Sequence, residues 1–121
     1  MSESLLVQLR KGVLDMCVLA MLARRDGYAY DIASCLAEQI GMGEGTIYPL
    51  MRRLQADGLV KTYLQESSSG PPRKYYQLTK AGHAALAAQK AEWNSFTTSV
   101  ARVLSTAGAA TSLTRTSGAG R

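Results

Sequence analysis

From Leu5 to Ala23, apolar side chains return every three or four residues, as Leu6, Leu9, Val13, Met16, Cys17 and Ala20. That spacing predicts a helix. Leu5, Leu14, Leu19 and Leu22 widen its apolar surface beyond what one small domain needs, which implies a second subunit. Arg24-Arg25-Asp26-Gly27 makes a turn. Ile32, Ala33, Leu36 and Ile40 then face inward on a second helix, from about Tyr30 to Ile40. Gly41-Met42-Gly43 breaks the chain before a third helix, for which Gly43 is the cap. On that third helix Ile47, Leu50, Met51 and Leu54 form a buried stripe, while Thr46, Tyr48, Arg52, Arg53 and Gln55 lie largely off it. Asp57-Gly58 ends it, with Gly58 suited to the left-handed cap position. Pro49 removes one backbone bond near the start and is expected to tilt the polar front.

Beyond residue 60 the pattern changes. Val60 to Leu64 and Arg73 to Leu78 read as strands rich in β-branched and aromatic residues, joined by a polar loop from Glu66 to Pro72. Tyr75 and Tyr76 must face opposite ways, one toward the core and one exposed. Thr79 caps a long helix that starts near Lys80, on which Leu86, Trp93, Phe96, Val100 and Val103 fall near a heptad seam. From Ser105 onward Thr, Ala, Gly, Ser and Arg run without period, so a disordered tail is expected over 105–121. The expected class is mainly α with a small β-hairpin. A winged helix-turn-helix domain is expected at 5–78, and a C-terminal dimerisation helix at 79–104.

A length of 121 residues suits one domain whose core a partner completes. Charge sharpens the picture. The net charge is +5, and between Gly45 and Lys80 six basic residues face only Asp57 and Glu66. Such clustering fits an anionic partner, although a solvated basic surface has the same composition. No apolar run of about eighteen residues exists, and Arg10, Lys11 and Asp15 interrupt the first helix, so neither a membrane span nor a signal peptide is expected. The expected compartment is the cytoplasm. Cys17 and Cys35 are isolated and read as buried structural thiols. His83 is the only histidine. No zinc ligand set, cofactor motif, Ser/His/Asp or Cys/His constellation or phosphate loop is present, so an enzyme is not expected.

The polar front of the third helix and the hairpin behind it hold the candidate DNA contacts. Arg52 lies four residues after Tyr48 and shares its face; Arg53 is next to it. Either arginine can hold guanine or phosphate. Thr46 sits near the positive helix start, where it can bond phosphate or its own backbone. Gly45 lets a DNA backbone come close or simply serves a turn. Tyr48 is divided between packing and readout. Lys61 and Lys74 add to the field around the wing, and Arg73 follows the rigid Pro72.

The runs Gly45-Thr-Ile-Tyr-Pro-Leu-Met-Arg-Arg-Leu54, Asp57-Gly-Leu-Val60 and Pro72-Arg-Lys-Tyr-Tyr-Gln-Leu-Thr-Lys-Ala-Gly82 resemble the PadR family of bacterial transcriptional regulators. Leu9-Arg-Lys-Gly-Val-Leu14 and Gly27-Tyr-Ala-Tyr-Asp-Ile32 are similar to two further signature stretches of that family. Ala29 stands where a Gly is common, Gly43 where Ser or Asn is usual, and the Ser67-Ser-Ser69 wing has no basic tip. The likeness runs from about residue 5 to 104. It implies a winged-helix repressor acting as a homodimer, its first and last helices intertwined between subunits. The single C-terminal helix is similar to the short branch of the family, to which a lactococcal multidrug regulator belongs. In that branch a Trp of the last helix can sandwich flat aromatic molecules, and Trp93 lies where it would fall. The resemblance therefore implies Leu6, Leu9, Val13, Trp93, Phe96 and Val100 as the dimer or ligand interface.

Two readings compete. The first is a sequence-specific DNA-binding regulator, a homodimeric repressor released by a hydrophobic or aromatic effector. Its two-fold symmetry predicts a pseudo-palindromic double-stranded operator, with half-sites roughly ten base pairs apart. The alternative is a winged-helix interaction adaptor without specific DNA binding, which strong salt dependence of DNA affinity would separate from the first.

Overall fold

The structure is a computed structural model and describes residues 4–108. Ser4 opens helix α1 (Leu5–Arg24) by accepting the Val7 amide on its hydroxyl at 3.2 Å. That bond satisfies an amide left over by the first helical turn. The helix turns Leu14, Val18, Leu19 and Leu22 into the core. Its other apolar face does not join them: Leu6 and Leu9 stay 54% and 57% exposed, and Val13 is half-buried.

Strand β1 (Gly27–Tyr28) is too short to leave a periodic signal and was not foreseen. It leads directly into α2 (Ala29–Gln39), which buries Ile32, Ala33 and Leu36. Gly41 closes α2 at φ +82°, and its amide reaches the carbonyls of Leu36 and Ala37 at 3.0 and 3.1 Å.

Helix α3 (Glu44–Ala56) starts from Gly43 and buries Ile47, Leu50, Met51 and Leu54, the stripe its sequence shows. Its end is a Schellman motif. Leu59 donates its amide to the Leu54 carbonyl and Gly58 donates to Gln55, both at 3.0 Å, with Gly58 at φ +77°. Thus α3 stops where Asp57-Gly58 says it should, and the chain leaves in position to start a strand.

The hairpin strands β2 (Val60–Ser67) and β3 (Gly70–Leu78) form a three-stranded antiparallel sheet in the order β1-β3-β2. They run further than expected, and the loop over 66–72 contracts to a turn at Ser68-Ser69. Pro71 and Pro72 therefore lie inside β3. They are tolerated because the register jumps between Gln65↔Arg73 and Ser67↔Gly70, which is a bulge. On its other side β3 pairs with β1 only at Tyr75 and Tyr76, so no ladder bond is lost there to a proline.

Thr79 starts helix α4 (Lys80–Gly108). Its hydroxyl accepts the Gly82 amide at 3.0 Å and donates to the Gly58 carbonyl at 2.7 Å, joining the helix start to the end of α3. Two compact units meet within α4, residues 1–87 and 88–121. Leu86 of α4 is buried in the core of the first, with Tyr76, Leu78 and Val60. In the second unit, Trp93, Phe96, Val100, Val103 and Leu104 are exposed. The helix continues past 104 to Gly108, and the rest of the segment expected as a tail, 109–121, lies outside the described residues.

Candidate nucleic-acid interface

Gly45 is the most telling backbone position on α3. A glycine inside a helix costs roughly 1 kcal/mol relative to alanine. Gly41 and Gly58 earn their place by a positive φ; Gly45 has none, and a Cβ there would meet nothing within 4 Å. Its turn-geometry explanation therefore falls away. Pro49, four residues on, has no amide to offer the Gly45 carbonyl, so this first part of the helix is less tightly bonded than the rest.

Thr46 is half-buried and Arg52 is exposed. Tyr48 is half-buried and packs against the core, so it is neither a pure core residue nor a free one. Burial is the main reason its phenol is pushed up from its ordinary value, with the Glu44 carboxylate and the Tyr30 and Tyr76 phenols adding to it. At neutral pH it is a neutral hydroxyl that can donate as well as accept.

The two adjacent arginines separate. Arg53 donates from both terminal nitrogens to Asp15 of α1, at 2.9 Å to each carboxylate oxygen. The hydrogen bond first, and the Asp15 charge second, raise the Arg53 pKa further above its usual range, against a small opposing effect of burial. Arg52 makes no such bond and shares the exposed front of α3. Asp15 gave no local signal in the sequence. It sits thirty-eight positions from its partner, and only the packing of α1 on α3 brings them together.

The sheet sorts the wing residues by face. Val60, Tyr76 and Leu78 are buried, and Thr62, paired with Tyr76, accepts a hydrogen bond from Gln55 of α3 at 3.5 Å. This face therefore looks toward α3. Lys74 belongs to it, with its ammonium 5.9 Å from the centre of the Tyr76 ring. Arg73, one residue earlier, is on the opposite face and lies 4.8 Å over the Tyr28 ring. Tyr28, Tyr75 and Tyr63 form a row of rings there, 5.5 and 5.8 Å apart. Tyr63 donates to Asp26 at 2.6 Å, which raises its pKa, and Gln77 donates to the same carboxylate oxygen at 3.3 Å. Of the tyrosine pair read from the alternation, Tyr76 is the core member and Tyr75 is half-buried. Lys61 is exposed on β2, on the same face as Tyr63. So the structure gathers Gly45, Thr46, Tyr48 and Arg52 on α3 with Lys74 on the adjoining sheet face, and sets Arg73 and Lys61 on the other.

Neither cysteine is fully buried, which corrects the expectation of buried thiols: both are half-buried, and Cys17 packs against the core. Partial burial still raises the Cys17 pKa, which disfavours its thiolate. Among the described residues no three His, Cys, Asp or Glu side chains are grouped to hold a metal. No helix among them is long and apolar enough to cross a membrane.

The model of the transcriptional regulator PadR-like family matches residues 18–88. An uncharacterized protein of Lysinibacillus sphaericus is 30% identical over 87 residues, covering 69% of this chain and 80% of that protein. A PadR-like transcriptional regulator from Bacillus cereus is similar in structure at TM-score 0.74 and 36% identity, over 80% of this chain and 96% of that one. A PadR-like transcription factor from Bacteroides fragilis gives TM-score 0.67 at 40% identity, over 80% of this chain and 95% of its own.

Proposed function

This chain belongs to the PadR-like family of transcriptional regulators, a DNA-binding family, and from that premise we propose a specific mode of action. It is a cytoplasmic homodimeric repressor that reads a pseudo-palindromic operator with α3 and is released by a hydrophobic or aromatic effector at the dimer interface. Residues 5–78 supply DNA binding and the helix over 79–104 supplies dimerisation. The observation that carries the reading is α3 itself: its back is fully occupied by Ile47, Leu50, Met51 and Leu54, while Arg52 stands free on its front. Tyr48 flanks Arg52 in readout, Thr46 bonds a phosphate near the positive helix start, and Lys74, Lys61 and Arg73 attach to the DNA backbone through charge. The exposed apolar residues of α1 and of α4 support the dimer, and Trp93, 42% exposed, supports an aromatic effector there.

The test is fluorescence anisotropy with duplex DNA from upstream of the chain's own gene, beside a scrambled duplex, at two salt concentrations. Arg52→Ala is expected to weaken binding to the specific duplex by roughly tenfold, with a smaller loss on scrambled DNA. Equal, weak binding of both duplexes would move the interaction adaptor ahead.

Gly45 gives a second test with opposite signs. Gly45→Ala should stabilise the free protein by about 0.5–1 kcal/mol, since the site has room for a methyl and the helix gains propensity. The same methyl should weaken DNA binding if the DNA backbone approaches Gly45 closely. A variant that is more stable and binds DNA unchanged removes Gly45 from the interface.

A further inference from the structure

The packing of α1 on α3 leaves an open cleft of about 450 Å³. Leu14, Pro49 and Leu50 are the apolar part of its lining; Lys11, Asp15, Thr46 and Arg53 are the polar part. The charged pair within it has an unusual balance. Asp15 engages the Arg53 guanidinium through two bonds of 2.9 Å, yet the two side chains remain 36% and 54% exposed. Its two-bond geometry is favourable, but exposure of this degree limits what the pair adds to fold stability. What it does is geometric: it holds a long, rotamer-rich side chain in one place. The guanidinium keeps further N–H groups beyond the two that Asp15 accepts. Thr46 brings a hydroxyl near the positive end of α3, and Lys11 brings a second cation from α1.

We propose that Asp15 is a positioning residue for DNA binding, holding Arg53 so that Arg53, Thr46 and Lys11 close on one backbone phosphate in the α1–α3 cleft. This rests on the DNA-binding reading and extends the interface to α1, which the candidate contacts on α3 and the wing do not include. A free arginine must be ordered when it meets a phosphate, at a cost in rotamer entropy. Asp15 imposes most of that order beforehand. Among the lining residues the two cations Lys11 and Arg53 face the single carboxylate of Asp15, so the lining as a whole keeps a positive balance.

Plain electrostatics and positioning predict opposite signs for one variant. Removing a negative charge from a DNA-binding face should tighten binding if charge alone matters. If Asp15 positions Arg53, Asp15→Asn should bind about fivefold more weakly in spite of the added positive charge. A phosphate contact does not depend on base sequence, so a labelled random duplex at low salt is a sufficient probe. Anisotropy titrations over a salt series would compare the wild type with Asp15→Asn, Asp15→Glu and Lys11→Gln. Asp15→Glu should restore most of the affinity, and Lys11→Gln should lower the slope of log K against log salt by about one. Thermal melts of all four should coincide, which separates positioning from damage to the fold. Equal or tighter binding by Asp15→Asn overturns the proposal while leaving the DNA reading intact. A wild type without salt-dependent binding overturns both.

Discussion

Replacing Leu6 and Leu9 together by aspartate is expected to convert the proposed dimer to a monomer and to reduce operator affinity by about a hundredfold or more. Both leucines are more than half exposed, on the face of α1 that its own core does not use. Burying one such side chain stabilises an interface by roughly 1.5–3 kcal/mol. Placing a carboxylate there instead adds a desolvation cost that no partner charge offsets. Two such changes exceed what a contact between small subunits can absorb. Gly12 points the same way: it lies in mid-helix, has no positive φ, and a Cβ there would meet nothing within 4 Å. A helix keeps a glycine at such a place at a cost in propensity, and close approach of a second helix is a physical use for it.

The loss of DNA affinity follows from linkage between subunits rather than from any lost contact. Once one α3 is seated in its half-site, a dimer presents the second at high effective concentration. A monomer must pay the full association cost for each half-site separately. The two effects can be read independently, by sedimentation of the free protein and by anisotropy with an operator duplex. Far-ultraviolet circular dichroism should keep its helical signal, because neither leucine belongs to the core. A double variant that still sediments as a dimer removes this face of α1 from the interface, and the exposed side chains of α4 would then have to carry it alone.

Much of the fold is legible in the sequence. The stripe on α3, its glycine cap, the threonine that opens α4 and the alternation of Tyr75 and Tyr76 each rest on local rules, spacing or turn chemistry, and local rules leave local marks. The features that escaped are those where separate segments meet. Nothing in the first helix says which of its two apolar faces is the core; it is the face of Leu14 and Val18, and the Leu6 face is left out. Pro71-Pro72 reads as loop chemistry, but a bulge and a short neighbouring strand let both residues sit in β3. Adjacent arginines look equivalent in a helix and are not, because only Arg53 has Asp15 within reach. Lys61 and Lys74 look alike as wing cations, whereas the pleat puts Lys74 on the face toward α3 and Lys61 with Arg73 on the other.

The glycine at 82 is a further case of meeting segments, and it gives the largest expected change in stability. Gly82→Ala should destabilise the protein by about 3 kcal/mol. A Cβ at this position would fall on the carbonyl oxygen of Leu59 and on the Leu78 side chain. The Leu59 carbonyl is not free to retreat, since it accepts the Thr79 amide at 3.1 Å, and Leu59 also closes the Schellman turn through its own amide. Nor is the first turn of α4, because Thr79 holds it to the Gly58 carbonyl and to the Gly82 amide. Relief must therefore come from moving α4 away from the β2–β3 sheet, which loosens Leu86 and Leu78 from the core. Helix propensity alone predicts the opposite result, a gain of up to roughly 1 kcal/mol from replacing a helical glycine. The sign of the change thus decides between close packing and propensity. Urea unfolding at one fixed protein concentration is the measurement, with the midpoint expected to fall by roughly 1–2 M. If the midpoint holds or rises, α4 does not approach the sheet as closely as a bare α-carbon allows, and the tight seat of this helix on the wing is wrong.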